Sequence, residues 1–201
     1  ATLHCLLGHK DDAYIWLGKA IEAGFWDLKA AREDADFKSI RDEARFKTLL
    51  QEARIRQYIA MLERPERESF QKPAEVLAAL AFKPGERVAD IGSGSGYFTI
   101  PVAKAVGPAG VVWAEDIVQQ LLDYVAKRVE AEKLTNVRLK LVAKDDPQLP
   151  PGGVDTILMV DTLHYVQGRS GYAKKLRAGL APGGRVVVID YIPKSFAERP
   201  W

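Results

Sequence analysis

The sequence predicts an α/β fold, a doubly wound and mostly parallel sheet with helices on both faces, preceded by an α-helical appendage. From residue 87 onward, short apolar runs alternate with segments of helical periodicity, as in a parallel sheet whose two faces are covered. A glycine-rich turn, GSGSG at 92–96, separates the first apolar run from the helix that follows it. The residues before about 62 carry helical periodicity alone.

Length and composition fit one globular domain with an appendage. The chain has 201 residues, 47% of them hydrophobic and 28% charged, which is ordinary for a globular protein. A formal net charge of +2 is too small to indicate binding to nucleic acid or to a membrane surface. The one cysteine, Cys5, excludes an internal disulfide framework, and no apolar run reaches the ~18–20 residues that cross a bilayer. We therefore expect a cytoplasmic protein; the missing initiator Met leaves an exported form or a fragment of a longer protein open.

The N-terminal third predicts a helical hairpin. Asp11 or Asp12 caps a helix over 13–23, and a leucine-rich segment closed by Gly8 ends an earlier helix. Because one hairpin cannot bury its own apolar face, we expect it to pack on the next domain or on repeats that precede it. Its aromatic residues are expected in the core and cap rather than in a ligand groove. These residues are Trp16, Phe25, Trp26, Phe37 and Phe46.

The pattern L-L-G-x-x-D-x-A-x-x-W-L-x-x-A-I-x-x-G over 6–24 resembles the last repeat of a tetratricopeptide array, and 37–50 resembles the cap that follows such an array. The resemblance implies a module that binds protein partners, whereas the simpler interpretation, which we favour, is a helical appendage. The charged stretch over 49–69 is typical of a solvated face or a linker. We place the domain boundary there, between a helical segment 1–62 and a second domain 63–201.

The second domain begins with a helix and then alternates between strands and helices. FQKPAEVLAAL at 70–80 predicts a helix with Pro73 in its first turn. Right-handed crossovers between parallel strands place a ligand at the carboxyl ends of the strands. Pro182-Gly183-Gly184 predicts a tight turn before the last strand. The predicted strands are 87–91, 111–115, 137–142, 154–160 and 185–191, and the predicted helices are 97–106, 118–132 and 170–180.

The strand, glycine turn and helix over 87–101 have the geometry that brings backbone N–H groups close to a nucleotide-like ligand. The dinucleotide fingerprint requires a third glycine at position 97, which is Tyr97, and the G-x-x-x-x-G-K-S/T pattern of a phosphate loop is absent. These departures argue against a nicotinamide-dependent oxidoreductase. Asp90 ends a strand that should be buried, so we expect it to have a hydrogen-bonded partner.

Four segments, in order, resemble the class I S-adenosylmethionine-dependent methyltransferases: VADIGSGSGYFT, VVWAEDI, NVRLKLVAKDDPQLPPGGVDTILMVDTLHYV and LRAGLAPGGRVVVIDY. The resemblance spans about 70–191. It implies a Rossmann-like sheet, S-adenosylmethionine (SAM) as cofactor, and methyl transfer to a small-molecule or protein acceptor. The alternative is a non-catalytic SAM-binding scaffold whose helical segment recruits a partner.

The resemblance also implies which residues hold the cofactor. An acid after the second strand accepts the ribose hydroxyls; Glu115 and Asp116 compete for this role, and the family pattern favours Asp116. Ile117 packs on the adenine, and Asp145 or Asp146 accepts its amino group, unless these are loop carboxylates in water. The other cofactor-binding candidates are Asp90, Gly92, Ser93, Gly94, Gly96, Tyr97 and Asp161.

The family places its reaction-facing residues after the fourth strand, where Asp161 and His164 are the catalytic candidates. Imidazole titrates near neutrality, so His164 suits a general base; the alternative is a histidine bonded to the backbone. In-line positioning of donor and acceptor can accelerate the transfer without any base. No metal is expected, because His4, His9 and His164 form no ligand-spaced cluster.

The C-terminal end departs from the family pattern. Many members continue beyond the fifth strand with a helix and a final hairpin, whereas this sequence ends at residue 201, so two strands are expected to be missing. The fifth strand would then be an exposed apolar edge. Formation of a homodimer through that edge, cover by the N-terminal helices, or truncation of a longer protein would each account for it.

Overall fold

The computed structural model describes residues 1–190 and divides the chain into two compact units. The first unit is Ala1–Met61, and the second begins at Leu62. Every helix within residues 1–190 is too short or too polar to cross a membrane.

The first unit is helical and contains the predicted hairpin. Helix α2 begins at Lys10 rather than at residue 13; its N-cap is His9, and Asp11 and Asp12 lie in its first turn. Carboxylates in a first helical turn interact favourably with the positive end of the helix dipole, but these two do not cap the helix. The helices are α1 Thr2–Leu6, α2 Lys10–Glu22, α3 Leu28–Glu33 and α4 Ala44–Leu62, with a 3-10 turn at Ala35–Phe37.

The first unit has its own apolar core. Phe37 and Phe46 are buried, with ring centroids 5.7 Å apart, and they lie against residues of α1, α2 and α3. The expectation that the hairpin needs a partner from outside is therefore wrong, because α3, the 3-10 turn and α4 cover its apolar face. Trp16, Phe25 and Trp26 are exposed, at 49%, 38% and 76%, so these three are not the core residues we expected.

The second unit is a five-stranded parallel sheet in the order β3-β2-β1-β4-β5, which confirms the predicted fold class. The chain order reverses between β1 and β4, and ligands of doubly wound sheets bind beyond the carboxyl ends of the strands at such a point. The strands are β1 Arg87–Ile91, β2 Val111–Asp116, β3 Val137–Leu141, β4 Val154–Val160 and β5 Leu180–Ile189. The helices are α5 Arg67–Gln71, α6 Pro73–Leu80, α7 Thr99–Val106, α8 Gln119–Ala131 and α9 Arg169–Gly179, with a 3-10 turn at Leu163–Tyr165.

Helices cover both faces of the sheet. On one face, Val102 of α7 and Val125 of α8 pack around Val88 of β1. On the other face, Tyr172 and Leu176 of α9 pack against residues of β1 and β4. Because side chains of a strand point alternately to opposite faces, β1 and β4 each contribute to both clusters.

Strand β5 begins at Leu180, before the predicted start at residue 185. Val154 pairs with Leu180 and Thr156 with Arg185, so the Pro-Gly-Gly segment lies in an irregular stretch of the strand rather than in a separate turn. Within residues 1–190 β5 pairs with β4 alone, and Val186 and Val188 are 41% and 42% exposed. The predicted last residue of this strand, at position 191, lies outside the described residues, and a homodimer through this edge stays a prediction.

Candidate functional site

The glycine turn joins β1 to α7 and is tied to the end of β2. The backbone N–H groups of Gly92 and Ser93 both donate to the carbonyl oxygen of Glu115, at 2.8 and 3.0 Å. Gly92 has φ +74°, and a Cβ there would lie 2.6 Å from Cγ2 of Thr162 and closer still to its Oγ1. Only glycine fits this position, because both the left-handed backbone and the nearby threonine exclude a side chain.

Two serine hydroxyls of the turn are buried. Among residues 1–190, Ser93 Oγ and Ser95 Oγ have no hydrogen-bond partner although both atoms are buried. Buried hydroxyls are normally satisfied by protein, water or ligand. These hydroxyls, together with a turn that excludes side chains, fit a polar ligand lying against the turn.

Asp90 lies under the turn at the end of β1 and is 2% exposed. The expected partner is Thr99, whose hydroxyl donates to Asp90 Oδ2 at 2.6 Å. Burial raises the pKa of Asp90 to about 6, and the nearby charge of Asp116 acts in the same direction. Asp90 therefore holds the start of α7 against β1.

The two acids at the end of β2 have different surroundings. Asp116 is 7% exposed, and its two oxygens accept from the N–H groups of Gly94 and Val118 at 2.9 and 3.0 Å. Glu115 is fully buried, and within the described part of the chain neither of its oxygens has a hydrogen-bond partner. Adjacent residues of a strand point to opposite faces, so these two carboxylates do not serve one site. Asp116 is the one that contacts the glycine turn.

The acids after β3 also differ. Asp146 is half-buried, and its carboxylate accepts from the N–H of Gln148 and from Lys175 at 2.8 and 3.1 Å, which lowers its pKa. Asp145 is exposed, and its backbone oxygen accepts from Lys175 at 2.9 Å. Ile117, directly after β2, is 53% exposed. An exposed aliphatic residue directly beyond Asp116 could provide an apolar contact for a ligand held there.

The segment after β4 places Asp161 and His164 at the carboxyl end of the sheet. Asp161 has φ +48°, and its carboxylate accepts from Nε2 of Gln71, which belongs to α5. His164 lies in the 3-10 turn, and its Nδ1 is 2.7 Å from Oδ1 of Asp190. The backbone N–H of His164 donates to the other oxygen of Asp190 at 3.2 Å. Sequence reasoning missed Asp190, because no local pattern links it to a residue 26 positions earlier.

The charged segment before α6 is mostly exposed, as we expected, but helix α5 within it carries two buried polar residues. Arg67 and Gln71 of α5 are 9% and 7% exposed. The guanidinium carbon of Arg67 lies 4.1 Å from the ring centroid of Tyr97, and the Tyr97 hydroxyl donates to Glu68 at 2.9 Å. Sequence reasoning missed Arg67 and Gln71, because no local pattern distinguishes them from the exposed polar residues around them.

A second polar cluster lies in the first unit. His4, His9 and Asp12 each offer a potential metal-ligand atom, and these atoms lie within 4.8 Å of one another. The expectation that the histidines form no ligand-spaced cluster is therefore wrong for His4 and His9, which the turn at Gly8 brings together. Within residues 1–190 no further group of this kind occurs, and His164 does not belong to this one.

Comparisons with known proteins find relatives of the second unit. Residues 89–186 match the family described as a methyltransferase domain. A SAM-dependent methyltransferase from Aquifex aeolicus is 27% identical with a TM-score of 0.65, covering 72% of this chain and 77% of its own. A SAM-dependent methyltransferase from Thiobacillus denitrificans, in complex with S-adenosylhomocysteine, is 26% identical with a TM-score of 0.55, covering 67% of this chain and 54% of its own.

Curated relatives match part of this chain. The ubiquinone/menaquinone biosynthesis C-methyltransferase UbiE of Burkholderia cenocepacia is 30% identical over 118 residues, which are 59% of this chain and 48% of the relative. The chain thus spans about half the length of the curated relatives it matches.

The parallel sheet and its glycine turn define a Rossmann-like α/β domain with a ligand site at the carboxyl ends of its strands. Residues 89–186 match the methyltransferase-domain family, and the two solved structures described above, which this chain resembles, are SAM-dependent methyltransferases. The matched residues do not include the N-terminal helices, and the likeness of 6–24 to a tetratricopeptide repeat stays a prediction.

Proposed function

We propose that this protein is a SAM-dependent methyltransferase that transfers a methyl group to a small-molecule or protein acceptor. The observation that carries the proposal is the Asp116 carboxylate, buried at the end of β2 and bonded to the Gly94 N–H of the glycine turn. Bound SAM supplies a methyl group on a positively charged sulfur; the acceptor atom forms the new bond to carbon as the sulfur takes back the electron pair. The residues of the site contribute chiefly by holding donor and acceptor in line.

We assign the ribose hydroxyls to Asp116 rather than to Glu115. Each Asp116 oxygen accepts one backbone N–H, so each keeps a lone pair for a ribose hydroxyl. Ile117 then packs on the adenine. Asp145 is better suited than Asp146 to accept the adenine amino group, because the Asp146 carboxylate is already bonded to Lys175. Asp90, Gly92, Ser93, Gly94, Gly96 and Tyr97 surround or support the rest of the donor.

Asp116→Ala is expected to weaken binding of S-adenosylhomocysteine roughly 10- to 100-fold, because it removes charge-assisted bonds to the ribose and loosens Gly94. Isothermal titration calorimetry measures the affinity. Asp123→Ala is the matched control, since Asp123 is an exposed acid on α8 and its loss should leave the affinity unchanged. Equal affinities of Asp116→Ala and the unmodified protein would remove Asp116 from the site.

Transfer itself is tested with SAM that carries a tritiated methyl group. The protein is incubated with the small-molecule and the protein fractions of a cell extract, and label in either fraction identifies the acceptor class. Firm binding of S-adenosylhomocysteine together with no label in any fraction would contradict catalysis.

We assign a general-base role to His164, oriented through Nδ1 by Asp190. An imidazole held at one nitrogen presents the other to a proton of the acceptor. His164→Asn keeps a donor near the Nδ1 position and removes the second nitrogen. We expect methyl transfer to fall at least about tenfold, with unchanged affinity for S-adenosylhomocysteine. Unchanged transfer would show that His164 is structural and that positioning alone suffices.

A second candidate function is a SAM-binding scaffold whose helices bind a protein partner. It is favoured by the exposed aromatic residues of the first unit, Trp16 and Trp26, because tryptophan is enriched at protein interfaces. The tritium experiment separates the two functions, since a scaffold would bind the donor without transferring label. Trp26→Ser should abolish partner binding and leave donor binding unchanged.

A further inference from the structure

Arg67 is a buried cation that forms no ion pair within the described part of the chain. It is 9% exposed, and no carboxylate oxygen among residues 1–190 lies within 4.0 Å of its guanidinium nitrogens. One of its five N–H donors is accounted for, since Nη1 donates to the carbonyl oxygen of Leu62 at 2.8 Å. Burial lowers its pKa. Because buried charges in proteins are normally paired, we expect this guanidinium to bind an anion.

The acids nearest to Arg67 do not supply that anion, because each is bonded elsewhere. Their charges act on Arg67 from beyond ion-pair distance. The pairs already formed around Arg67 are Asp161 with Gln71, Glu63 with Arg128, Glu68 with Tyr97, and Asp90 with Thr99. The remaining donors of Arg67 therefore have no carboxylate of this part of the chain to bind.

The position of Arg67 suggests where the anion comes from. Its guanidinium lies over the ring of Tyr97, which directly follows the glycine turn, and near Asp90 of β1 and Asp161 after β4. Asp116, which we assign to the ribose, contacts the turn from the side of β2. A ligand that runs from Asp116 along the turn toward β4 would bring its far end toward Arg67 and Asp161.

We propose that Arg67 binds the carboxylate at the amino-acid end of SAM, and that Asp161, held by Gln71, accepts from the ammonium beside it. The inference rests on the proposed function and names the residues that recognise one end of its donor. A planar guanidinium matches a carboxylate in two parallel hydrogen bonds, and stacking on Tyr97 fixes its plane. The residue that replaces the third glycine of the dinucleotide pattern thus becomes the platform for this arginine.

Arg67→Met tests the proposal, since methionine keeps an apolar stem over Tyr97 and removes the charge. Calorimetry compares S-adenosylhomocysteine with its decarboxylated analogue, which keeps the adenosine, the sulfur and the ammonium. The unmodified protein should prefer S-adenosylhomocysteine roughly 10- to 100-fold. Arg67→Met should lose this preference by weakening S-adenosylhomocysteine alone. Arg64→Met, the exposed arginine of the same segment, should keep it.

The outcomes separate this inference from the proposed function. Retained affinity of Arg67→Met for the analogue shows that its site is folded. An unchanged preference in Arg67→Met, or an equal loss for both ligands, would overturn the carboxylate role and leave the methyltransferase proposal standing. If the unmodified protein binds neither ligand, the proposed function fails and this inference fails with it.

Discussion

Gly92→Ala is expected to lower the free energy of unfolding by about 3–5 kcal/mol and to abolish detectable binding of S-adenosylhomocysteine. The added methyl group would overlap Oγ1 and Cγ2 of Thr162, and it would hold an L-residue at φ +74°. The turn cannot move away easily, because the N–H of Gly92 is bonded to the carbonyl oxygen of Glu115 at 2.8 Å. Relief of the overlap therefore shifts the turn out of its position between β2 and β4.

Matched variants separate the overlap from the backbone strain. Gly85→Ala places alanine at φ +85°, where a Cβ meets nothing within 4 Å, so it should show only the strain, about 1–2 kcal/mol. Adding Thr162→Ala to Gly92→Ala leaves only the threonine Cβ, 3.1 Å away, and should recover most of the remaining loss. Urea unfolding and calorimetry measure both quantities. If Gly92→Ala loses no more unfolding free energy than Gly85→Ala, the contact with Thr162 is not the reason that position 92 requires glycine.

The parts of the fold that the sequence predicts well are those set by short-range pattern. The apolar runs of β1, β2 and β4 are buried on both faces, so their composition alone marks them as central parallel strands. The start of β5 is predicted less well. Pro182-Gly183-Gly184 resembles a turn, but pairing with β4 continues on both sides of it, and pairing between strands overrides local turn preference.

The candidate site, like the fold, has parts that the sequence predicts and parts that it does not. The glycine turn and the acids at the ends of β1 and β2 follow from strand–turn–helix order, whereas the contribution of α5 does not. Gln71 bonds to Asp161 across 90 positions, and Arg67 lies over Tyr97 across 30. In the sequence these polar residues are indistinguishable from a solvated charge run, because burial depends on which element packs over them. Positions 67 and 71 are therefore determined by tertiary contacts alone.

The free energy of unfolding is expected to fall as pH rises, and Glu115→Gln is expected to remove this dependence. The carboxyl group of Glu115 is fully buried, and its nearest cation, Lys140, is 4.0 Å away. Burial raises the pKa of Glu115 to about 8 from the usual 4.5. Between these values the folded protein holds a proton that the unfolded chain has released, so the free energy of unfolding falls as pH rises. Below pH 4.5 both states are protonated, and above pH 8 both are ionised, so the dependence ends at each limit.

The window from pH 6 to 8 isolates Glu115, because Asp90, the other acid with a large shift, has a pKa of about 6 and contributes mainly below it. Across this window the unmodified protein should lose about 2–3 kcal/mol more than Glu115→Gln, whose neutral amide cannot ionise. Glu130→Gln, an exposed glutamate on α8, should follow the unmodified protein. Urea unfolding is followed by Trp113 of β2 with the other three tryptophans changed to Phe. Parallel pH curves for Glu115→Gln and the unmodified protein would mean that Glu115 ionises in the fold, with Lys140 compensating its burial.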